Sequence, residues 1–313
     1  MNTEVEPSST ATSQTPADPA LRRFGSDLQI GGRRLFVRGA KGPSRADPQE
    51  DQYQPGLLLI HGFPTSSHDW LGIWPKLASK YALLAPDLLG MGLSEKPYPH
   101  QYSVTEQAQL LDVLLALSGR RRWHILAHDL GDSVAQELLA RQLENRLSVE
   151  IVSVCFLNGG LFPESHRPLL VQRVLASPLG PVVAPLLKRR SFQRGMAKIC
   201  KLPWPVGEMD IAWQLLERDH GIRVLPALLA YIAERTRHRE RWLRAMGEGS
   251  VAMRLVNGLA DPISGRHMAE RYMQLIAKAD VQGLEGVGHY PQLESPDAVV
   301  SAALELFAKN DPS

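Results

Sequence analysis

Ala127-His128-Asp129-Leu130-Gly131-Asp132 follows directly on the apolar run Trp123 to Leu126 and directly precedes a helical pattern, Ser133 to Arg141. A strand that enters a helix through so short a turn must bend sharply. The residue at the apex is lifted clear of the backbone, which is the geometry of a nucleophile elbow. Small residues stand two places either side of Asp129, at Ala127 and Gly131, where a larger side chain would collide with the strained backbone. The apical carboxylate has a chemical consequence. Serine needs a base before it becomes a nucleophile, whereas an aspartate with an ordinary pKa of about 3.9 is already ionised at neutral pH and is suited to displacing a leaving group from saturated carbon. The competing reading is that Asp129 caps the following helix through its side-chain oxygen.

Strands alternate with helices on both sides of this turn. Arg34 to Arg38 is a short strand-like piece, and Leu57 to Ile60 is a continuous apolar run, as a strand covered on both faces requires, leading into His61-Gly62-Phe63-Pro64. Ala82 to Ala85 is a second such strand. It ends at Pro86 to Ser94, whose glycines lack the spacing of a dinucleotide fingerprint and read as a structural turn network. Thr105 to Leu117 is helical with its apolar face at Leu110, Leu111, Leu114 and Leu115, and Val152 to Leu157, Ala252 to Val256 and Val281 to Leu284 are further strands. The pattern predicts an α/β protein, a doubly wound, mostly parallel sheet with right-handed crossovers. Between Leu157 and Ala252 the alternation stops, and helical patterns broken by Pro178, Pro181, Pro203, Pro205 and Pro226 predict an inserted helical lid. The expected division is a disordered segment over 1–22, rich at its start in Ser, Thr, Pro and Glu, a core formed by 23–158 and 249–313, and a lid over 159–248. The charged stretch Glu234 to Arg244, ERTRHRERWLR, interleaves acids and bases and reads as a solvated helix face. Arg120 to Arg122 and Lys188 to Arg190 read the same way.

The 313 residues, 44% of them hydrophobic, can bury a substantial core. A net charge of +2 and a pI near 8.5 exert no strong pull on nucleic acid or an anionic membrane, so the expected partner is a small neutral organic substrate, with no nucleic acid. Cys155 and Cys200 cannot build a disulfide framework and read as inert thiols. No stretch approaches the roughly 18 consecutive apolar residues of a membrane span, and no apolar signal segment opens the chain, so no stable membrane insertion and a cytoplasmic location are expected. His124 and His128 lie four apart with no third ligand nearby, and neither a metal nor a cofactor is expected.

Hydrolytic chemistry from such an elbow needs an acid and then a histidine later in the chain, each at the end of a different strand. His289 lies in Gly286-Val287-Gly288-His289-Tyr290-Pro291, just past the last apolar strand, where the glycines allow a tight loop and Pro291 stiffens its exit. Asp261, in Asn257-Gly258-Leu259-Ala260-Asp261-Pro262, could accept the other ring N–H of His289. The alternative for Asp261 is a turn aspartate that bonds only local backbone. The rival position for the acid, after Val152 to Leu157, holds Asn158, whose amide cannot balance an imidazolium charge. Two backbone N–H groups, of Phe63 and of Leu130, are the candidates for an oxyanion hole, with Gly62 allowing close approach.

HGFPTSSHDW at 61–70, APDLLGMGLSEKP at 85–97, AHDLGD at 127–132 and GVGHYPQLESP at 286–296 resemble the α/β-hydrolase superfamily, over nearly everything from about residue 28 onward. The aspartate nucleophile and the HGFP loop are similar to the epoxide hydrolase and haloalkane dehalogenase branch. AHDLGDSVAQELL and LNGGLFPESHRPLL at 157–170 most resemble the mesoderm-specific transcript family. The branch implies attack by Asp129 on saturated carbon to form an alkyl ester, which water activated by His289 then hydrolyses. It further implies a substrate-binding role for Tyr231, similar to the lid tyrosines that donate to an opening epoxide oxygen; the alternative for Tyr231 is packing between lid helices with its hydroxyl at the surface.

The chain departs from the branch in three respects. No second lid tyrosine lies between Gly159 and Tyr231. Leu130 and Phe63 stand where dehalogenases hold halide with polar donors, leaving Trp204, Trp213 or Trp242 to supply an indole N–H. Asp132 replaces the usual glycine three places after the nucleophile, where it either faces outward or meets an arginine, or else repels Asp129 and weakens it. The expectation is an α/β hydrolase with a lid that opens epoxides, with haloalkane dehalogenation second and a non-catalytic binding module as the reading of another class. Ester hydrolysis is disfavoured, because carboxylate attack on an acyl carbon gives a reactive anhydride.

Overall fold

A two-residue turn, Gly31-Gly32, with φ of 56° and 80°, closes the first hairpin, a conformation that strand twist favours and glycine adopts without strain. It joins β1 (Gly25–Ile30) to β2 (Arg33–Ala40). The computed structural model describes residues 19–43 and 54–311. Most of the segment expected to be disordered, 1–18, lies outside the described residues. Residues 19–22, expected within it, form a turn instead. Leu21 is buried there and its carbonyl accepts a 2.7 Å hydrogen bond from the buried Arg38.

The chain continues through β3 (Gly56–Ile60), α1 (Trp74–Ala78), β4 (Leu83–Pro86), α2 (Val104–Leu117), β5 (Arg122–His128), α3 (Leu130–Leu143) and β6 (Glu150–Leu157). It then leaves the sheet for α4 (Leu170–Leu175), α5 (Gly180–Val183), α6 (Arg189–Ile199), α7 (Glu208–Glu217), α8 (Gly221–Leu228) and α9 (Tyr231–Glu248). It returns as β7 (Ala252–Gly258), α10 (Arg266–Leu275), β8 (Val281–Leu284), α11 (Pro291–Glu294) and α12 (Pro296–Asn310).

The eight strands lie in the order β1-β2-β4-β3-β5-β6-β7-β8, antiparallel at β1/β2 and β2/β4 and parallel elsewhere. Side chains alternate across the sheet. Leu58, Ile60, Ile125 and Phe156 pack on the α2, α3 and α9 side, whereas Leu57, Leu59, Leu126 and Cys155 pack on the α1 and α12 side. Burial on both faces is why these strands read as unbroken apolar runs. From β3 the chain moves to one side of the sheet for β4 and to the other for β5, so the carboxyl ends of β3 and β5 flank a topological switch point, where α/β folds place ligands. Among the described residues no helix is long and apolar enough to cross a membrane.

The solvated-face reading of Glu234 to Arg244 is corrected for the inward side of α9. Glu234, Arg235 and Trp242 are buried, while Arg237, Glu240 and Arg244 are exposed. The charges on the inward side find partners in the core. Glu234 accepts from the Val104 N–H at the start of α2 (2.6 Å), and the buried Glu137 of α3 meets Arg241, the Trp242 indole (2.9 Å) and Arg141 (3.0 Å). Burial opposes the charge on Glu137, but these donors outweigh it and hold its carboxyl below the ordinary value of 4.5.

Replacing Glu137 with alanine orphans three donors at once and is expected to cost about 3 kcal/mol in urea unfolding at neutral pH. Because the folded pKa is the depressed one, this contribution is complete above the unfolded pKa and lost as pH falls through the folded value. The gap between wild type and variant should therefore close in acid.

Candidate active site

Asp129 stands at the end of β5 with φ 49° and ψ −104°, a strained conformation for a residue with a side chain. The sterics of the elbow are visible at two glycines. A Cβ on Gly131 would lie 2.3 Å from the Ile60 carbonyl oxygen, and one on Gly62 would lie 2.7 Å from His128 Nδ1 and 2.8 Å from the Asp129 Cβ. The carboxylate makes no cap to α3, which sets aside the capping alternative. Its Oδ2 accepts instead from the Phe63 N–H at 3.1 Å. Leu130 is the first residue of α3, so its N–H has no acceptor within the helix. The Phe63 loop is fixed by His61. Its Nε2 accepts from the Leu88 N–H (2.9 Å), so the proton resides on Nδ1, which donates to the Gly62 carbonyl (2.8 Å).

His289 follows β8 and donates from Nδ1 to Asp261 Oδ2 at 2.8 Å. Asp261 also accepts from the Ile263 and Ser264 N–H groups (2.7 and 3.1 Å), from Ser264 Oγ (2.8 Å) and from Asn158 Nδ2 (3.1 Å). The turn reading and the histidine partnership thus hold together. Asn158, the rival position for the acid, serves as a brace, since its Oδ1 accepts from the Gly258 N–H (2.7 Å) and its carbonyl lies 2.7 Å from Ser264 Oγ, whose single hydrogen it shares with Asp261. Burial opposes the charge on Asp261, but His289 and the donors around it bring its pKa down to about 2. Burial likewise disfavours the His289 imidazolium, yet Asp261, and after it Asp129 and Glu294, outweigh this and hold its pKa above 6.5. His128 Nε2 donates to the His289 carbonyl at 2.8 Å, tying the two loops together. Glu294 gathers four backbone donors: Gly288 (2.9 Å) and Tyr290 (3.0 Å) beside the histidine, and Lys201 (2.7 Å) and Leu202 (2.9 Å) just beyond α6.

Sequence reasoning missed Arg235. It projects from α9 with 1% of its side chain exposed, its Nη2 3.1 Å from the Asp129 carbonyl oxygen and 3.4 Å from Asp129 Oδ1, while its Nε donates to Ser133 Oγ at 2.7 Å. The usable signal was its spacing, four residues after Tyr231 and seven before Trp242, on one helical face. Tyr231 packs its ring 6.0 Å from that of Phe63 and lies beneath the Arg235 guanidinium at 4.6 Å. Its hydroxyl is buried without a hydrogen-bond partner among the described residues, so the surface-hydroxyl alternative is corrected.

Asp132 neither faces outward nor hydrogen-bonds an arginine. It is fully buried against Gly159, where a Cβ would fall 2.0 Å from Oδ2, and neither carboxyl oxygen has a full hydrogen bond. Burial and the charge of Asp129 push its pKa well above the ordinary value. Asp129 moves the other way. Burial resists its charge, but Arg235 first, then His289, His128 and His166, hold its carboxyl below the usual range. Burial, and the charge of Asp129 after it, thus favour the neutral form of Asp132, while Arg235 favours the charged form of Asp129, so the alternative in which repulsion weakens Asp129 runs against the direction of its shift.

A small, mostly apolar cleft of about 80 Å³ opens beside Phe63 and His289, walled by Leu175, Phe192, Met196 and Leu225 of the inserted helices. The alpha/beta hydrolase family matches residues 57–303. The chain belongs to that family. LipZ of Mycobacterium tuberculosis, which carries only a generic hydrolase name, is 39% identical over 92% of this chain and 98% of its own. The mesoderm-specific transcript protein of Mus musculus is 40% identical over 79% of this chain and 76% of its own, in accord with the resemblance noted above. Among solved structures, the epoxide hydrolase CorEH (TM-score 0.71, 19% identity, 91% of this chain and 98% of that one) shares the fold. So does a loop variant of the haloalkane dehalogenase DbeA from Bradyrhizobium elkanii (TM-score 0.73, 22% identity, 91% and 96%).

In this alpha/beta hydrolase, Asp261→Asn should lower the pKa of His289, followed through its imidazole NMR signals; an unchanged titration would mean that Asp261 does not govern the ring. Because the folded pKa is raised, the charge contribution is complete below about pH 6.5 and lost as pH rises through the folded value. The stability difference between variant and wild type should narrow accordingly.

Proposed function

We propose that the chain is an epoxide hydrolase working through an alkyl ester on Asp129. The observation that carries this reading is the Tyr231 hydroxyl, buried and without a hydrogen-bond partner among the described residues, on the helix that also brings Arg235 to Asp129. A phenol kept free of protein acceptors can donate to an oxygen that becomes charged during reaction. Dehalogenation ranks second. Its halide would need an indole N–H, but Trp204 donates to Cys200 Sγ (3.0 Å) and Trp242 to Glu137 (2.9 Å), leaving Trp213 of the three. A binding module without turnover would leave unexplained the Asp261–His289 pair held near a strained Asp129.

In the first step Asp129 Oδ1 attacks a ring carbon, the carbon–oxygen bond breaks, and the departing oxygen takes its proton from Tyr231. Arg235 keeps Asp129 ionised until then. In the second step His289 Nε2 removes a proton from water, and the hydroxide adds to the ester carbonyl. The negative charge that develops is held by the Phe63 and Leu130 N–H groups, after which the diol leaves with a proton from His289, and the Asp129 acid so formed gives up its proton to restore the Tyr231 phenol. The sequence regulates its own base. Asp129 is one of the charges that raise the pKa of His289, and esterification removes that charge, so the imidazole becomes readier to be neutral when it must accept a proton. Residues 159–248 act as the lid over 23–158 and 249–313, and no cofactor or metal takes part.

His289→Gln should trap the ester. Incubated with a panel of small epoxides and haloalkanes, the variant is expected to gain a mass localised to Asp129 from epoxides, and a Tyr231→Phe change in that background should slow adduct formation about 100-fold for epoxides while sparing haloalkanes. A folded variant that gains no adduct from any of them would overturn the reading.

Arg235→Gln tests the charge on the nucleophile. Removing the cation raises the pKa of Asp129, so the acid limb of the pH profile of kcat/KM should move to higher pH. Asp132→Asn, which replaces one neutral group by another, should leave that limb in place.

A further inference from the structure

We propose that the rim of the active-site cleft docks on an anionic lipid surface. The net charge of +2 conceals a strong segregation. Residues 165–207 contain eight of the chain's 35 Lys and Arg residues and none of its 33 Asp and Glu residues, so the rest of the molecule is net negative. Among the described residues only one of the eight, Arg189, meets an acid, Asp210.

Among the described residues, the same segment carries most of the large hydrophobic side chains that are left in water. Leu170 on α4 is 77% exposed, Leu179 just before α5 is 64%, Val182 on α5 is 72% and Leu186 just after it is 71%. Isolated exposed aliphatics are ordinary, but such a series within 17 residues is not. On α6 the two chemistries separate by face. Arg190, Arg194 and Lys198, at intervals of four, point outward, while Phe192, Met196 and Ile199 turn inward to line the cleft. Aliphatic side chains projecting from a short helical rim, with bases around them and no acid among them, complement a layer of acyl chains beneath anionic headgroups.

The cleft is continuous with this surface. Val171 and Ser191, both exposed, line it from α4 and α6. An apolar substrate dissolved in a bilayer would pass from the acyl region into an apolar cleft without crossing water. Such docking is peripheral and needs no spanning helix.

The test is flotation of the intact chain with vesicles of phosphatidylcholine alone or mixed with phosphatidylserine. The mixed vesicles should carry the protein up, the neutral ones far less, and added salt should reduce the bound fraction. The triple variant Leu170→Ser, Val182→Ser, Leu186→Ser and the triple variant Lys188→Glu, Arg190→Glu, Arg194→Glu should each weaken partitioning about tenfold or more, with unchanged thermal unfolding midpoints. Failure of the wild-type chain to float with phosphatidylserine vesicles would overturn the proposal. So would a concentration-dependent dimer that the apolar triple variant dissolves without any loss of vesicle binding, since the face would then belong to a second copy. Flotation reads no turnover, so its outcome is separate from that of the proposed reaction.

Discussion

Two carboxyl groups three residues apart on the first turn of a buried helix cannot both be charged unless each has its own compensation. Asp129 has Arg235 and the histidines around it; Asp132 has the backbone near Leu157 and Gly159 and little else. One cation, reaching in from a different part of the chain, lies 3.4 Å from Asp129 Oδ1 and favours charge on that acid over Asp132.

That cation belongs to the inserted segment. A single face of α9 brings Tyr231, Arg235 and Trp242 into contact with the core, and Glu137 and Glu234 complete the seam. The insertion therefore contributes to the electrostatics of the site as well as covering it. The segments that follow core strands carry Asp129, Asp261 and His289, while α9 brings Arg235 and Tyr231 to the same place.

The strands and the elbow were legible because they depend on local properties: runs of apolar residues long enough for a doubly covered strand, and small residues at fixed offsets from Asp129. Arg235 and Glu234 were not, since a helix of interleaved acids and bases has the same sequence pattern whether its ions meet water or meet partners across a seam. Asp132 was misjudged for a related reason. Its place in the helix was clear, but its burial against Gly159 arises from a strand crossing 27 residues later. The boundary at residue 22 failed because Leu21 is held by Arg38, a contact between positions 17 apart that composition does not encode. The run of bases in 165–207 is invisible in the net charge, which is a sum that erases where the charges are.

Glu294 has a consequence for anyone who would rebuild this molecule. By accepting backbone hydrogens from Gly288 and Tyr290 on one side and from Lys201 and Leu202 on the other, it stitches the histidine loop to the end of α6. The inserted helices are therefore not an exchangeable cassette. A chimera that grafts another insertion at the same two junctions would leave this carboxylate with half its donors and the histidine loop without its brace, so a successful exchange must carry residues 288–294 along with the helices they hold.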